Sequence, residues 1–270
     1  MWPLTLIQPI AHGDAGLTLR RARGPVRIRA SLLLEDRDAQ LLQVLVHPTP
    51  NGHKITMLLE EAGLPYTIKR VDIGSGEQFQ PDFLKISPNN RMPAIVDHAP
   101  ADGGAPLSLF ESGAILLYLA EKSGTFIPAD LRGRKTVLEW LFWQMGGLGP
   151  MLGQNHHFNI YAPEKIPYAI ERYMRESKRL YGVLDKQLDG RAFIGGDEYS
   201  IADMACYPWI VPWQRQGMNL ADHPNLQRWF DAIAIRPGTV RAYAQGAFRD
   251  ASAPMSDAAK KVLFGQGKGL

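Results

Sequence analysis

The sequence predicts an α/β unit followed by a larger all-α unit. Three observations carry this reading: a strand-helix-strand pattern over residues 41–71, two short strands and a helix over residues 93–124, and helical spacing with no strand-like alternation after Pro128. The first element, Leu41 to Val46 (LLQVLV), is a short apolar run that ends in the loop-formers His47-Pro48-Thr49-Pro50-Asn51-Gly52. Ile55, Leu58, Leu59 and Ala62 then fall at i, i+3, i+4 and i+7, which marks an amphipathic helix stopped by Gly63 and Pro65. Tyr66 to Val71 (YTIKRV) alternates and is rich in residues that favour strands. Strand, helix and strand at this length form a βαβ unit with a right-handed crossover and parallel strands.

Pro93 to Val96 (PAIV) and Leu107 to Phe110 (LSLF) are two further short strands. The turn-rich run between them suits an antiparallel hairpin. Ser112 opens a helix with Ile115, Leu116, Leu119 and Ala120 on one face and Gly124 as its stop. The order from Leu41 to Lys122 is therefore β-α-β, a short segment, then β-β-α. Beyond Pro128, Val137, Trp140, Leu141 and Gln144 keep helical spacing, as do Ile170, Tyr173, Met174, Ser177, Leu180, Tyr181 and Leu184 after Pro167. Ser200-Ile201-Ala202-Asp203 reads as a capping-box-like helix start, with Asp in place of the usual Glu or Gln. A further helix runs from Asp222-His223-Pro224 to Ile235 and is stopped by Pro237.

Composition narrows the function classes. The 270 residues are 45% hydrophobic and 21% charged, which is globular and excludes collagen-like or wholly disordered chains. No apolar run reaches the roughly eighteen residues a membrane span needs, so no membrane partner is expected. The net charge of +3 gives no case for nucleic acid, because Arg20, Arg21, Arg23, Arg27 and Arg29 cluster within ten residues and the rest is close to neutral. Met1 to Ile10 has no positive segment before its apolar residues, unlike a secretory signal. Cys206, the one cysteine, rules out an internal disulfide framework, a cysteine-based zinc site and a CxxC redox pair, and it fits a reducing compartment.

Five segments in order carry a more specific signal: TPNGHK (Thr49 to Lys54), SPNNRMPAI (Ser87 to Ile95), FESGAILLYLAEKSG (Phe110 to Gly124), LFWQMGGLGPMLGQNHHF (Leu141 to Phe158) and YSIAD (Tyr199 to Asp203). From about Leu41 to Gly246 the chain resembles the nu-class, glutathione-dependent disulfide-bond oxidoreductases of the glutathione transferase superfamily. That resemblance implies a thioredoxin-like glutathione-binding domain over residues 41–124, ordered β-α-β-α-β-β-α, and an all-α domain over residues 132–246. Residues 1–40 have no counterpart in that pattern and are expected to be disordered or the product of an upstream start. Residues 247–270 are expected to form a flexible tail.

The resemblance also implies the site. Thr49 and Asn51 would sit beside the glutathione sulfur as the catalytic pair. A thiol of pKa near 8.5 is only about 3% thiolate at pH 7. Lowering it by about two units takes about 2.7 kcal/mol and makes it roughly three-quarters thiolate. A hydroxyl, an amide and a helix N-terminus can supply that stabilisation. Judged without the resemblance, Thr49 is also an ordinary helix cap before Pro50. Met92-Pro93 is expected to be cis, so that the Met92 backbone pairs with the cysteinyl portion of glutathione. Glu111 would hold the γ-glutamyl amine, while Ser112 and its helix N-terminus hold the carboxylate. Gln78 and Arg91 fall in loops around the backbone and glycyl portions. Arg172 matches an arginine that reaches the cleft, although a solvated helix arginine is an equal reading.

Other features carry less. Adjacent His156 and His157 point about 100° apart on a helix, poor geometry for one metal, and no metal is expected. Gly74-Ser75-Gly76 reads as a turn; Gly146, Gly147, Gly149 and Gly153 read as close-packing positions; and Cys206, within MACYPWI, reads as a buried structural thiol. The resemblance implies a cytoplasmic homodimer that reduces small disulfides with glutathione as co-substrate and is compatible with peroxide reduction. The alternatives are a general glutathione S-transferase conjugating an electrophile, or a non-catalytic regulatory module on the same fold.

Overall fold

The computed structural model describes residues 42–245 and 256–265, and the expected extension over residues 1–40 lies outside them. Four strands, β1 (Leu42–Val46), β2 (Tyr66–Arg70), β3 (Ala94–Asp97) and β4 (Leu107–Phe110), form one sheet in the order β2-β1-β3-β4. β1 lies parallel to β2, with Val44 opposite Ile68, because α1 (Pro50–Ala62) carries the chain back across the sheet between them. β3 runs antiparallel to β1 and to β4, placing Ile95 opposite both Val44 and Leu109. The central strands β1 and β3 are the buried ones, while β2 and β4 form the wetter edges. A short 3₁₀ turn (Glu77–Phe79) and α2 (Pro81–Ile86) fill the connection from β2 to β3. The Met92-Pro93 bond is cis, as the family resemblance implies.

α3 (Ser112–Ser123) closes the sheet-bearing half and stops where Gly124 takes the left-handed conformation. After it the described chain is helical except for a single bridge between Phe193 and Gly196. α4 (Leu131–Trp143), capped by Asp130, does not simply end. It passes through a π turn (Gln144–Leu148) into α5 (Gly149–His156) and a second π turn (His157–Tyr161). α6 (Pro167–Gln187) starts at the expected proline. α7 (Ile201–Ile210) has the expected capping box: the Ser200 hydroxyl accepts from the Ala202 N–H at 3.3 Å, and Asp203 accepts from the Ser200 N–H at 3.0 Å.

Two expectations need correction. Pro237 does not only stop α8 (Pro224–Ala234); it opens α9 (Pro237–Gln245), since a missing N–H costs nothing in a first turn. Residues 247–270 are not a flexible tail throughout. Asp257–Phe264 form α10, whose Ser256 cap accepts from Ala259 and whose Phe264 ring lies 5.5 Å from Tyr161 and 5.1 Å from His157. The glycines also divide. An added Cβ at Gly149 would come within 2.7 Å of the Gln144 amide nitrogen, and one at Gly153 within 3.4 Å of Trp209, whereas at Gly146 and Gly147 it would meet nothing.

One buried apolar cluster runs from Val44 and Leu58 through Leu116 to Leu180, Met204 and Trp229. Helix α1 lies against α3, α7 and α9, so the sheet-bearing half is anchored in the helical half along its first helix.

Candidate active site

A cleft of about 520 Å³ opens between the two halves. Asn51 and Lys54 from α1, Arg91, Met92 and Pro93 before β3, and Glu111 and Ser112 at the start of α3 line one side. Gln144, Met145, Gly149, Gln154 and Trp209 line the other. Five sequence-predicted residues therefore share one concavity: Asn51, Arg91, Met92, Glu111 and Ser112.

Each is held for a local reason. Asn51 Oδ1 accepts from the Trp209 indole N–H at 2.9 Å, a bond between the halves that fixes which end of the amide faces the cleft. Met92 stands before the cis proline at the entry to β3. Glu111 has φ +69°, a conformation that costs a non-glycine residue about 1–3 kcal/mol, and its side chain makes no cap for α3. Glu111 thus leaves the first-turn amides of α3 uncapped by its own side chain, while its carboxylate lines the cleft. Arg91 is anchored by its carbonyl, which accepts from the buried Ser87 hydroxyl at 2.8 Å.

The other three stand apart. Thr49 is the N-cap of α1: its hydroxyl accepts from the Gly52 N–H at 3.3 Å and donates to the His47 carbonyl at 3.4 Å. It adjoins Asn51 but does not line the cleft. Gln78 is 2% exposed and donates to the Ile73 carbonyl at 3.3 Å, while its side-chain oxygen is buried without a partner among the described residues. Arg172 belongs to a different concavity of about 580 Å³ along α6, with Tyr168, Arg175 and Arg179. This concavity shares no lining residue with the Asn51–Glu111 cleft. Its charges are tied by pairs along the helix, Arg175 with Glu171 and Arg179 with Glu176.

Sequence reasoning missed Lys54. It is 1% exposed and donates to Gln144 Oε1 at 2.6 Å, Ser112 Oγ at 3.3 Å and Met145 Sδ at 3.4 Å. Burial pulls its pKa down to about 7, against the opposing pull of the Glu111 carboxylate. The available signal was its place inside TPNGHK, on the helix face shared with Leu58. Cys206 is fully buried, and desolvation pushes its thiol far above the ordinary range, so it offers no thiolate. Among the described residues no group of three or more histidine, cysteine, aspartate or glutamate side chains is placed to hold a metal ion, and no helix is long and apolar enough to cross a membrane.

A strand-order β2-β1-β3-β4 sheet with a cis proline before β3, followed by an all-helical half and a cleft between them, defines the glutathione transferase class. Residues 41–121 match the family model of the glutathione S-transferase N-terminal domain, and residues 155–237 that of the C-terminal domain; the chain belongs to this family. It is 59% identical over 210 residues to the disulfide-bond oxidoreductase YfcG of Escherichia coli, covering 78% of this chain and 98% of that protein. To the disulfide-bond oxidoreductase YghU of the same organism it is 43% identical over 214 residues, covering 74% and 73%. Among solved structures, a Burkholderia graminis glutathione transferase with two glutathione molecules bound per subunit superposes with a TM-score of 0.73 at 43% identity, over 78% of this chain and 90% of that one. A Pseudomonas putida glutathione transferase with one glutathione disulfide bound per subunit superposes at 0.72 and 39% identity, over 80% and 98%.

Proposed function

We propose that the protein is a glutathione-dependent disulfide-bond reductase, in which the sheet-bearing half (residues 41–124) holds glutathione and the helical half (residues 132–246) shapes the acceptor side. The observation that carries this reading is the pairing of a cleft rich in donors for a peptide-like anion with a sole cysteine that is buried and inert. A disulfide exchange run here must take its sulfur from the ligand. Close likeness to two disulfide-bond oxidoreductases, and to transferases with glutathione or its disulfide bound, supports the same reading.

In this reaction a glutathione thiolate attacks one sulfur of a small disulfide, forming a glutathione mixed disulfide and expelling a thiolate. A second glutathione thiolate attacks the mixed disulfide, releasing glutathione disulfide and the other thiol. Asn51 and Thr49 lower the pKa of the first thiol. Asn51 keeps its NH₂ for the sulfur because Trp209 occupies its oxygen. The long 3.4 Å bond from Thr49 to the His47 carbonyl is readily exchanged for a thiolate acceptor. The Met92 backbone pairs with the cysteinyl unit, Glu111 with the amine, and Ser112 with the γ-glutamyl carboxylate. Arg91 and Gln78 flank the glycyl end. Arg172 serves the acceptor disulfide or a second glutathione, and the protein works as a cytoplasmic homodimer.

Reduction of hydroxyethyl disulfide, followed through glutathione disulfide formation, tests the proposal. Turnover well above that of free glutathione, retained in Cys206→Ala, is the expected result. A rate equal to free glutathione would overturn it.

A further inference from the structure

Among the described residues that line the cleft, one charged group has no part in the proposed chemistry, the Lys54 ammonium. It donates to the Ser112 hydroxyl rather than to Thr49 or Asn51, the residues proposed to meet the sulfur. Its three donors have three neighbours: the Gln144 amide oxygen, the Ser112 hydroxyl oxygen and the Met145 thioether. Because the ammonium donates to Ser112 Oγ, the hydroxyl's own proton has to point elsewhere. Its acceptor is Met145 Sδ at 3.5 Å, a weak one that a carboxylate readily displaces.

We propose that Lys54 is the positioning cation of the glutathione site, aiming the Ser112 proton at the γ-glutamyl carboxylate and neutralising that charge from behind, so that ligand binding takes up a proton. The inference rests on the glutathione-dependent reading above. Among the described residues the charged side chains that line the cleft are Lys54, Arg91 and Glu111. Glu111 at the start of α3 is the charged group that favours protonated Lys54, while Cys206 on α7 faces it as a neutral thiol. Gln144 and Met145, from the π turn, contribute only neutral atoms. Burial outweighs the pull of Glu111 and leaves Lys54 titrating near pH 7. A carboxylate arriving at Ser112 stabilises the ammonium, raises its pKa, and draws a proton from solvent wherever Lys54 is uncharged beforehand. Affinity then falls as pH rises above 7. Among the described residues no histidine lines the cleft, and half-buried His53 and His156 titrate near pH 4, below this window.

The test uses S-methylglutathione, which has no thiol to titrate, in calorimetry with two buffers of different ionisation enthalpy. The wild-type protein is expected to take up almost no proton at pH 6 and more than about half a proton per ligand at pH 7.5. Lys54→Met should bind about tenfold or more weakly, as for loss of a charged hydrogen-bond donor, and take up none. At saturating glutathione its kcat should change far less than its KM. Lys54→Arg, charged at every pH used, should restore affinity without proton uptake. If Lys54→Met fails to fold, the wild-type uptake profile and the Lys54→Arg result still decide the matter. Wild-type binding with no uptake, or unchanged uptake in Lys54→Arg, would overturn the role of Lys54 while leaving the reductase reading intact. A wild-type protein that neither binds the probe nor reduces hydroxyethyl disulfide would overturn both.

Discussion

Helices α1 and α3 both leave a strand of the same sheet and both begin at the cleft, yet Thr49 closes the first with its own side chain and Glu111 leaves the second without one. At α1 the Thr49 hydroxyl takes the Gly52 N–H, and Pro50 removes another donor. At α3 the preceding residue is held at φ +69° and caps nothing. A helix end completed by its own chain is a structural fixture. One left incomplete beside a carboxylate and a hydroxyl suits the role proposed for it above, holding an anionic group with an amine next to it.

Substitutions at the two ends should therefore fail differently. The largest effect is expected at the closed end. A Cβ at Gly52 would lie 2.5 Å from the His47 carbonyl oxygen, a backbone atom that cannot step aside. Gly52→Ala should lose about 3 kcal/mol or more of stability, read as a lower denaturant midpoint, even though alanine favours helices. At the open end Ser112→Ala should weaken glutathione binding about tenfold while leaving the thermal midpoint within about 2 °C, measured by calorimetry and thermal unfolding. Unchanged affinity in the Ser112→Ala variant would show that α3 is not the carboxylate site. Thr49→Ala should cost far less stability than Gly52→Ala, about 1 kcal/mol for a lost cap. Its disulfide reduction should nonetheless drop at saturating glutathione and return in Thr49→Ser. Loss of stability with full activity would make Thr49 a cap and nothing more.

The same contrast explains what the sequence could reveal. Strand alternation, the Gly63 and Gly124 stops and the Ser200–Asp203 box are local signals, and each element appears where those signals put it. The cis bond at Met92-Pro93 came from resemblance and is present. Lys54 was illegible because a lysine in an amphipathic helix normally reaches water. Its burial is set by Gln144, ninety residues away, and by a π turn whose extra residue no periodicity announces. Pro237 was misjudged because a proline that ends one helix is equally suited to begin the next. α10 was missed because eight residues in a Gly- and Ala-rich tail show too short a stripe, and its ring contacts lie on the π turn His157–Tyr161.

The hydrogen bonds from Trp209 to Asn51 and from Lys54 to Gln144, together with the ion pair of Arg236 with Glu61, each tie α1 to the helical half, and the apolar core is continuous beneath them. The segment joining α3 to α4 is therefore a boundary in sequence but not in folding. α1 owes as much of its environment to residues after 140 as to its own sheet, so the two halves form one cooperative unit. Evolution can exchange loops around the cleft in such a molecule, but it cannot trade one half for an unrelated partner without also rebuilding the face of α1.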